Sequence, residues 1–290
     1  MRVTETTMAN TSQTNLQRIQ QRLQTLQEEV SSGIKVSSPG VDPLSAQQIL
    51  DLQCQVNDGE QFTKNISTAD SYLSIQESAL SSMGDSLTRL KEIALEMSNG
   101  TYSAEQRQYA AAEVVQLRDQ LIALGNTQSG GRYVFGGFNN STPPFASDGT
   151  YSGGSDSINI SIDHSNSVAI NTPGDKVLGG VVGSGGIVDN LITALNSGTV
   201  ADVQNTLSGL DDASNQVLAA RTDIGARMNR LDASKNFIDS TQVYLQKVIS
   251  DKQDIDIAKA ISDLTRQQTA YQAALMSTAK INQTSLLDYL

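Results

Sequence analysis

The sequence predicts a mainly α-helical protein with a small β insert: a long antiparallel helical rod or coiled coil drawn from both chain ends, with the β domain in the middle. Three observations predict it. The five prolines sit at positions 39, 43, 143, 144 and 173, which leaves 44–142 and 174–290 free of the strongest helix breaker. Thirteen of the 22 glycines fall between Gly130 and Gly186, so the flexible punctuation is concentrated in the centre. On either side of that centre, apolar residues recur at heptad spacing.

Leu16, Ile19, Leu23, Leu26 and Val30 are spaced 3, 4, 3, 4, which predicts an amphipathic N-terminal helix. The first long flank steps by seven through Leu52, Gly59, Ile66, Leu73, Leu80, Leu87 and Ala94. Companion positions three further on are Gln55, Phe62, Ala69, Gln76, Met83, Leu90 and Met97. Eleven of these fourteen positions are apolar, which predicts a helix over 53–98 that ends at Asn99-Gly100. Ser103 and Gln106 form an S-x-x-Q capping box for a second helix. Its seam is Ala110, Val114, Leu117, Leu121 and Leu124, and Gly125 closes it.

The period then changes. Ile158, Ile160 and Ile162 alternate with polar residues, as in a half-buried strand, and Val168-Ala169-Ile170 predicts a second strand. Asn171-Thr172-Pro173-Gly174 is a turn, and Val177-Leu178 begins a third strand. Asp148-Gly149 and Gly153-Gly154 mark tight turns around Tyr151. Gly130 to Phe138 reads as a strand whose Tyr133 and Phe135 pack against the rod. Beyond this insert the seven-residue step returns: Val203, Leu210, Val217, Ile224, Leu231, Ile238 and Leu245 are all apolar. Their companions four further on are mixed, so one side faces partners and the other water. Asp251 to Asp256 interrupts the pattern. A last amphipathic helix carries Ile257, Ile261, Leu264, Tyr271, Leu275 and Ile281 and runs into Leu286, Leu287 and Tyr289. The domains expected are a terminal helical assembly domain (1–48 plus 252–290), a long-helix rod (49–135 plus 186–251) and a small β-rich insert (136–185).

The chemistry-bearing residues are sparse. The net charge of −11 repels nucleic-acid phosphates and anionic lipid heads. No stretch approaches 18 consecutive apolar residues, so no membrane insertion is expected, and Met1 to Leu16 lacks a signal-peptide core. The single cysteine, Cys54, rules out an internal disulfide and any multi-thiolate metal site, and it is expected beside the core as an inert thiol. The single histidine, His164, is expected on the surface at a strand end. Asp211-Asp212 and the pair Asp254 and Asp256 read as solvated helix charges. No phosphate-binding, zinc-hydrolase, nucleophile-elbow or calcium-loop motif occurs. The reading is therefore no enzyme, no catalytic residue, no metal and no cofactor. What remains is contact between proteins. The end helices each carry one apolar column: Leu16, Ile19, Leu23 and Leu26 at one end, Leu275, Ile281, Leu286 and Leu287 at the other. Either they pack on each other to finish a bundle, or they await further copies of the chain.

Short segments along the whole chain carry a resemblance. Met1-Arg2-Val3 and Ser31 to Pro39 (SSGIKVSSP) resemble the S-[ST]-G-[KR]-x-[IV]-x-x-[PA] segment of the bacterial flagellin superfamily, with Ile34 at the usual basic position and Lys35 next to it. Asn99-Gly100-Thr101 resembles its N-G-T. Gly131 to Phe138 (GRYVFGGF), followed by Pro144-Phe145, resembles the G-R-Y-[IL]-F-[AG]-G segment of the superfamily's hook–filament junction branch. Ser285 to Leu290 (SLLDYL) resembles that branch's chain end. The resemblance implies a structural adaptor that joins the hook to the filament by helical self-assembly; the alternative is flagellin, the filament subunit itself. It implies terminal helices that form the inner layer of a tube and are disordered in the free subunit, with the β insert projecting outward. Implied partners are copies of itself, another hook-associated protein on the hook side, and flagellin or a filament-side homologue on the other. A cytoplasmic flagellar export chaperone would bind the C-terminal helical region. The implied route is secretion through the flagellar type III export apparatus to the extracellular flagellum. A pore-forming or adhesive secreted protein would need an apolar inserting stretch or a lectin-like site, and neither is visible.

Overall fold

A computed structural model gives the fold; it describes the backbone of residues 5–287 and the side chains of residues 7, 8 and 10–280. In order the elements are α1 (Glu5–Ser32), α2 (Pro43–Met97), α3 (Ala104–Gly125), β1 (Gln128–Ser129), β2 (Arg132–Tyr133), β3 (Asn159–Ser161), β4 (Ser167–Ala169), α4 (Asp175–Leu178), α5 (Ile187–Ser197), α6 (Val200–Gln253) and α7 (Ile257–Leu287). The chain divides into two units, Gly59–Ser240 and the paired ends Met1–Asp58 with Thr241–Leu290. Helices predominate, and among the described residues the strands form two antiparallel pairs, β1 with β2 and β3 with β4.

In the unit Gly59–Ser240 both heptad seams turn inward. Ile66, Leu73, Leu80, Leu87 and Ala94 of α2 share one core with Val203, Leu210, Val217, Ile224, Leu231 and Ile238 of α6, and α3 adds Val114 and Leu121. The capping box forms at the start of α3: Ser103 Oγ accepts from the Gln106 N–H at 3.2 Å, and Gln106 Oε1 accepts from the Ser103 N–H at 2.8 Å. Arg221 of α6 reaches Glu77 Oε1 of α2 through Nε at 3.0 Å and Nη2 at 2.7 Å. Both side chains keep about a third of their surface in solvent, so this pair orients the helices more than it stabilises them.

Gln76 is the polar exception inside the α2 seam, and the structure gives it a task. Its side chain is fully buried; Nε2 donates to Ile170 O at 2.9 Å, and Oε1 accepts from the Thr172 N–H at 3.1 Å. A primary amide carries one donor side and one acceptor side, so it can pair with both faces of a backbone segment as a neighbouring strand would. Asn126 pairs in the same way with both backbone groups of Phe145, at 2.8 and 3.0 Å. Asn171 links Asp156 O (2.9 Å) and the Ile158 N–H (2.6 Å). With only short strands of its own, the insert is held by these amides and by Arg227, whose Nη1 donates to Ala169 O and Asn171 O at 3.1 and 2.9 Å. Gln76→Ala is expected to lower the stability of this unit by about 1–3 kcal/mol, because it leaves the buried Thr172 N–H and the part-buried Ile170 carbonyl unpaired. Urea unfolding checks it, and an unchanged midpoint would remove the amide's role.

Several sequence expectations are corrected here. Gly130 to Phe138 is not one alternating strand: only Arg132 and Tyr133 pair, and Val134 to Gly137 are buried in succession. Tyr133 is half-buried and Phe135 fully buried, and Tyr72 OH of α2 donates to Tyr133 O at 3.4 Å. The chain then turns through Gly137, whose backbone is left-handed (φ 62°) and lies so close to Gly154 that a Cβ would meet its carbonyl oxygen at 2.3 Å. Val177-Leu178 belongs to the short helix α4 instead of a third strand, and both residues are buried in the core. The segment after it holds a helix the sequence reading passed over, α5, which buries Val188, Leu191, Ala194 and Leu195.

In the unit of paired ends, α1 packs along α7. The link from α1 to α2 lies against the link from α6 to α7: Lys35 N–H donates to Gln253 O at 2.6 Å, and Ile255 N–H to Gly33 O at 3.0 Å. Helix α2 begins ten residues earlier than the heptads predicted. Pro43 occupies its first position, and Asp42 Oδ1 accepts from the N–H groups of Leu44 (3.2 Å) and Ser45 (3.1 Å). Hydrogen bonds from Ser45 hold the Asp42 carboxyl below its ordinary range. Cys54 is exposed, not beside the core, because two residues along a helix swing a side chain about 200° away from the seam position Leu52.

Candidate assembly surfaces

The candidate contact residues fall on α1 and α7. On α1, Leu16, Ile19 and Leu23 are half-buried and Leu26 is buried, so the 3-4-3-4 column is the side of the helix withdrawn from water. The matching seam of α7 runs through Ala260, Leu264, Gln267, Tyr271, Ala274 and Thr278, again at alternating spacings of four and three. Gln267 Nε2 donates to Ile19 O at 3.4 Å across it. The seam is sparsely filled: small and polar residues of both helices line a gap of about 430 Å³ that includes Asn15, Arg18, Ala274 and Thr278.

Leu275 lies one position off that seam and stays 43% exposed. It shares a face with Ile257 (57%) and Ile261 (49%), and Met276 (73%) flanks them. By helical geometry this stripe stands about a quarter-turn round α7 from the seam. The structure therefore gives α7 two apolar sides, one against α1 and one facing outward. Ile281, Leu286 and Leu287 continue α7, but their side chains lie outside the described residues.

Among the described residues the buried apolar set of this unit is small: Leu26, Val36, Ala46, Ile49, Leu245 and Ala260. Its exposed set is larger. Met8, Val41, Leu44, Leu50, Val243 and Tyr244 join the α7 stripe, and most of the large exposed hydrophobics among the described residues lie here. Helices with so little apolar area withdrawn from water and so much left in it are marginal as a free pair and suited to association.

The remaining chemistry-bearing residues sit as solvated or structural groups. Asp211 pairs with Lys91, and Asp256 caps α7 by accepting from the Lys259 N–H at 3.1 Å. Asp254 accepts from Ser250 Oγ at 2.5 Å. His164 is exposed on the β3–β4 hairpin, edge-on to Phe62 of α2 with ring centres 5.1 Å apart. Among the described residues no group of three or more His, Cys, Asp or Glu side chains could hold a metal ion, and no helix is long and apolar enough to cross a membrane.

Comparison with known proteins places both flanks. Residues 3–140 match the family model of the bacterial flagellin N-terminal helical region, and residues 207–290 that of the C-terminal helical region. Flagellar hook-associated protein 3 of Escherichia coli strain K12 is 31% identical over 85% of this chain and 86% of its own length. Flagellin FlaB2 of Treponema pallidum is 27% identical over 88% of this chain and 87% of its own. A solved structure from Vibrio parahaemolyticus, assigned to a flagellar hook-associated protein, superposes with a TM-score of 0.67 at 25% identity. It covers 74% of this chain and all of that one.

Proposed function

The chain belongs to the bacterial flagellin family, and from that premise we propose which part of the flagellum it builds and with which surfaces. It is a structural component of the bacterial flagellum that connects the hook to the flagellin filament. The single observation that carries this is the match, along most of both chains, to a hook-associated protein, with flagellins more distant. The GRYVFGG segment supports the same side of the choice: its glycines and buried Phe135 shape the turn where the insert leaves α3. The chain assembles with itself and with other flagellar components, outside the cell.

The finer reading is ours. The terminal assembly domain, 1–48 plus 252–290, forms the contacts in the tube, while 49–135 plus 186–251 serve as its rod and 136–185 as an outward insert. The contacts run through Leu16, Ile19, Leu23 and Leu26 on α1 and through Leu275, Ile281, Leu286 and Leu287 on α7. The exposed stripe of Ile257, Ile261 and Leu275 supports this, because an apolar face costs free energy until a partner covers it. Neighbours on the two sides are another hook-associated protein and flagellin or a filament-side homologue. Before export the C-terminal helix is shielded by a cytoplasmic flagellar export chaperone, and the chain leaves through the flagellar export apparatus. It performs no catalysis and uses no cofactor, and its charge of −11 disfavours nucleic acid.

Electron microscopy of cells lacking the gene tests the junction role. The expected result is hooks without filaments and flagellin released into the medium. Filaments of normal length on those hooks would overturn it.

A further inference from the structure

We propose that Asn99 is a site of spontaneous modification, deamidation through a succinimide ring, and that the turn between α2 and α3 lets this amide react ahead of the others in the chain. Asn99-Gly100 is the one Asn-Gly pair in the sequence. Both residues are exposed in the turn that follows Met97. The Asn99 carboxamide has no hydrogen-bond partner among the described residues, and neither does the Gly100 N–H. The only bonds the Asn99 backbone makes are its own N–H to Glu96 O at 3.2 Å and its carbonyl to the Tyr102 N–H at 3.3 Å. Glycine hinders neither the attacking nitrogen nor the rotation that brings it to the side chain.

The reaction needs only water and base. The Gly100 amide nitrogen gives up its proton and attacks Cγ of Asn99; the new C–N bond forms as the C–Nδ2 bond breaks, and ammonia leaves. Water then opens the five-membered ring at either carbonyl, giving aspartate or isoaspartate. Four of the other asparagines are visibly held back. Asn126 and Asn171 have both ends of their amides bonded, and the Asn166 amide donates to Asp163. Asn196 precedes serine inside α5, where helical geometry keeps the next nitrogen away from Cγ.

The product changes this turn. It sets a carboxylate just past the C-terminal end of α2, close to Glu96, where the helix dipole disfavours negative charge. The isoaspartyl form also adds a carbon to the main chain beneath the contact of Gln204 Nε2 with Ser98 O (3.3 Å). Since no enzyme is required, the converted fraction records the age of a subunit.

The test incubates the purified full chain in mildly alkaline and in mildly acid buffer, then maps its peptides by mass spectrometry. Isoaspartate is scored by methyl transfer with a protein isoaspartyl methyltransferase. Conversion is expected first at Asn99 and faster in alkali. Gly100→Ala has room for its Cβ, with no atom within 4 Å and no left-handed φ, so it folds as the parent does and slows the reaction several-fold. Asn99→Gln, which would need a six-membered ring, abolishes it. An intact Asn99 beside converted Asn140 or Asn196, or an unchanged rate in Gly100→Ala, would overturn the proposal. The result is independent of the junction role.

Discussion

Leu80→Ala and Ile224→Ala each lower the stability of the unit Gly59–Ser240 by about 2–5 kcal/mol, since each removes a fully buried branched side chain from a packed seam. The two residues come from different long helices but share one core. The neighbours of each are fixed by helix backbones that cannot collapse freely into the space, so the cavity term adds to the lost transfer energy. Differential scanning calorimetry of the full chain reads the effect as a lowered transition for this unit. The companion position Lys235, exposed on α6, supplies the control: Lys235→Ala leaves the transition where it was. Equal melting of all three variants would mean that the core does not run along these columns.

The long helices were legible because a heptad repeat over many turns leaves few alternatives. Every apolar member of the α6 column from Val203 to Leu245 is buried, and the α2 column is buried from Ile66 onward. The capping box at Ser103 was equally readable, because it depends on two residues at a fixed spacing. What failed was local structure decided by tertiary contact. Val134 to Gly137 break the strand alternation because both sides of that segment are covered. Helix α5 is a short run of eleven residues behind a glycine-rich stretch, so its pattern competed with a loop. The early start of α2 had a signal that was passed over, an Asp before a Pro, masked by polar residues over the next turn. Helix α7 was ambiguous in a different way. Its apolar residues serve two sides, and nothing in the period says that Ala274 turns toward α1 while Leu275 stays in water.

That division gives the largest functional effect expected of any substitution in the chain. Ile261→Asp combined with Leu275→Asp leaves the subunit folded, because each side chain already has nearly half of its surface in solvent and neither belongs to the α1–α7 seam. In an assembly that covers this stripe, each aspartate must be buried without a partner. That replaces about 1.5–3 kcal/mol of favourable leucine or isoleucine burial with a desolvation cost of several kcal/mol. Repeated at every subunit contact of a helical assembly, the penalty is prohibitive. The expected outcome is a variant with the parent's circular dichroism and melting curve that fails to assemble, in cells that carry hooks, lack filaments and do not swim. Ala273→Asp, an added charge on the side of α7 turned away from both the seam and the stripe, separates loss of the apolar stripe from a general effect of charge and keeps motility. Normal swimming by the double variant would take the stripe of Ile261 and Leu275 out of the junction and leave the α1 column and Ile281, Leu286 and Leu287 as the remaining candidates for it.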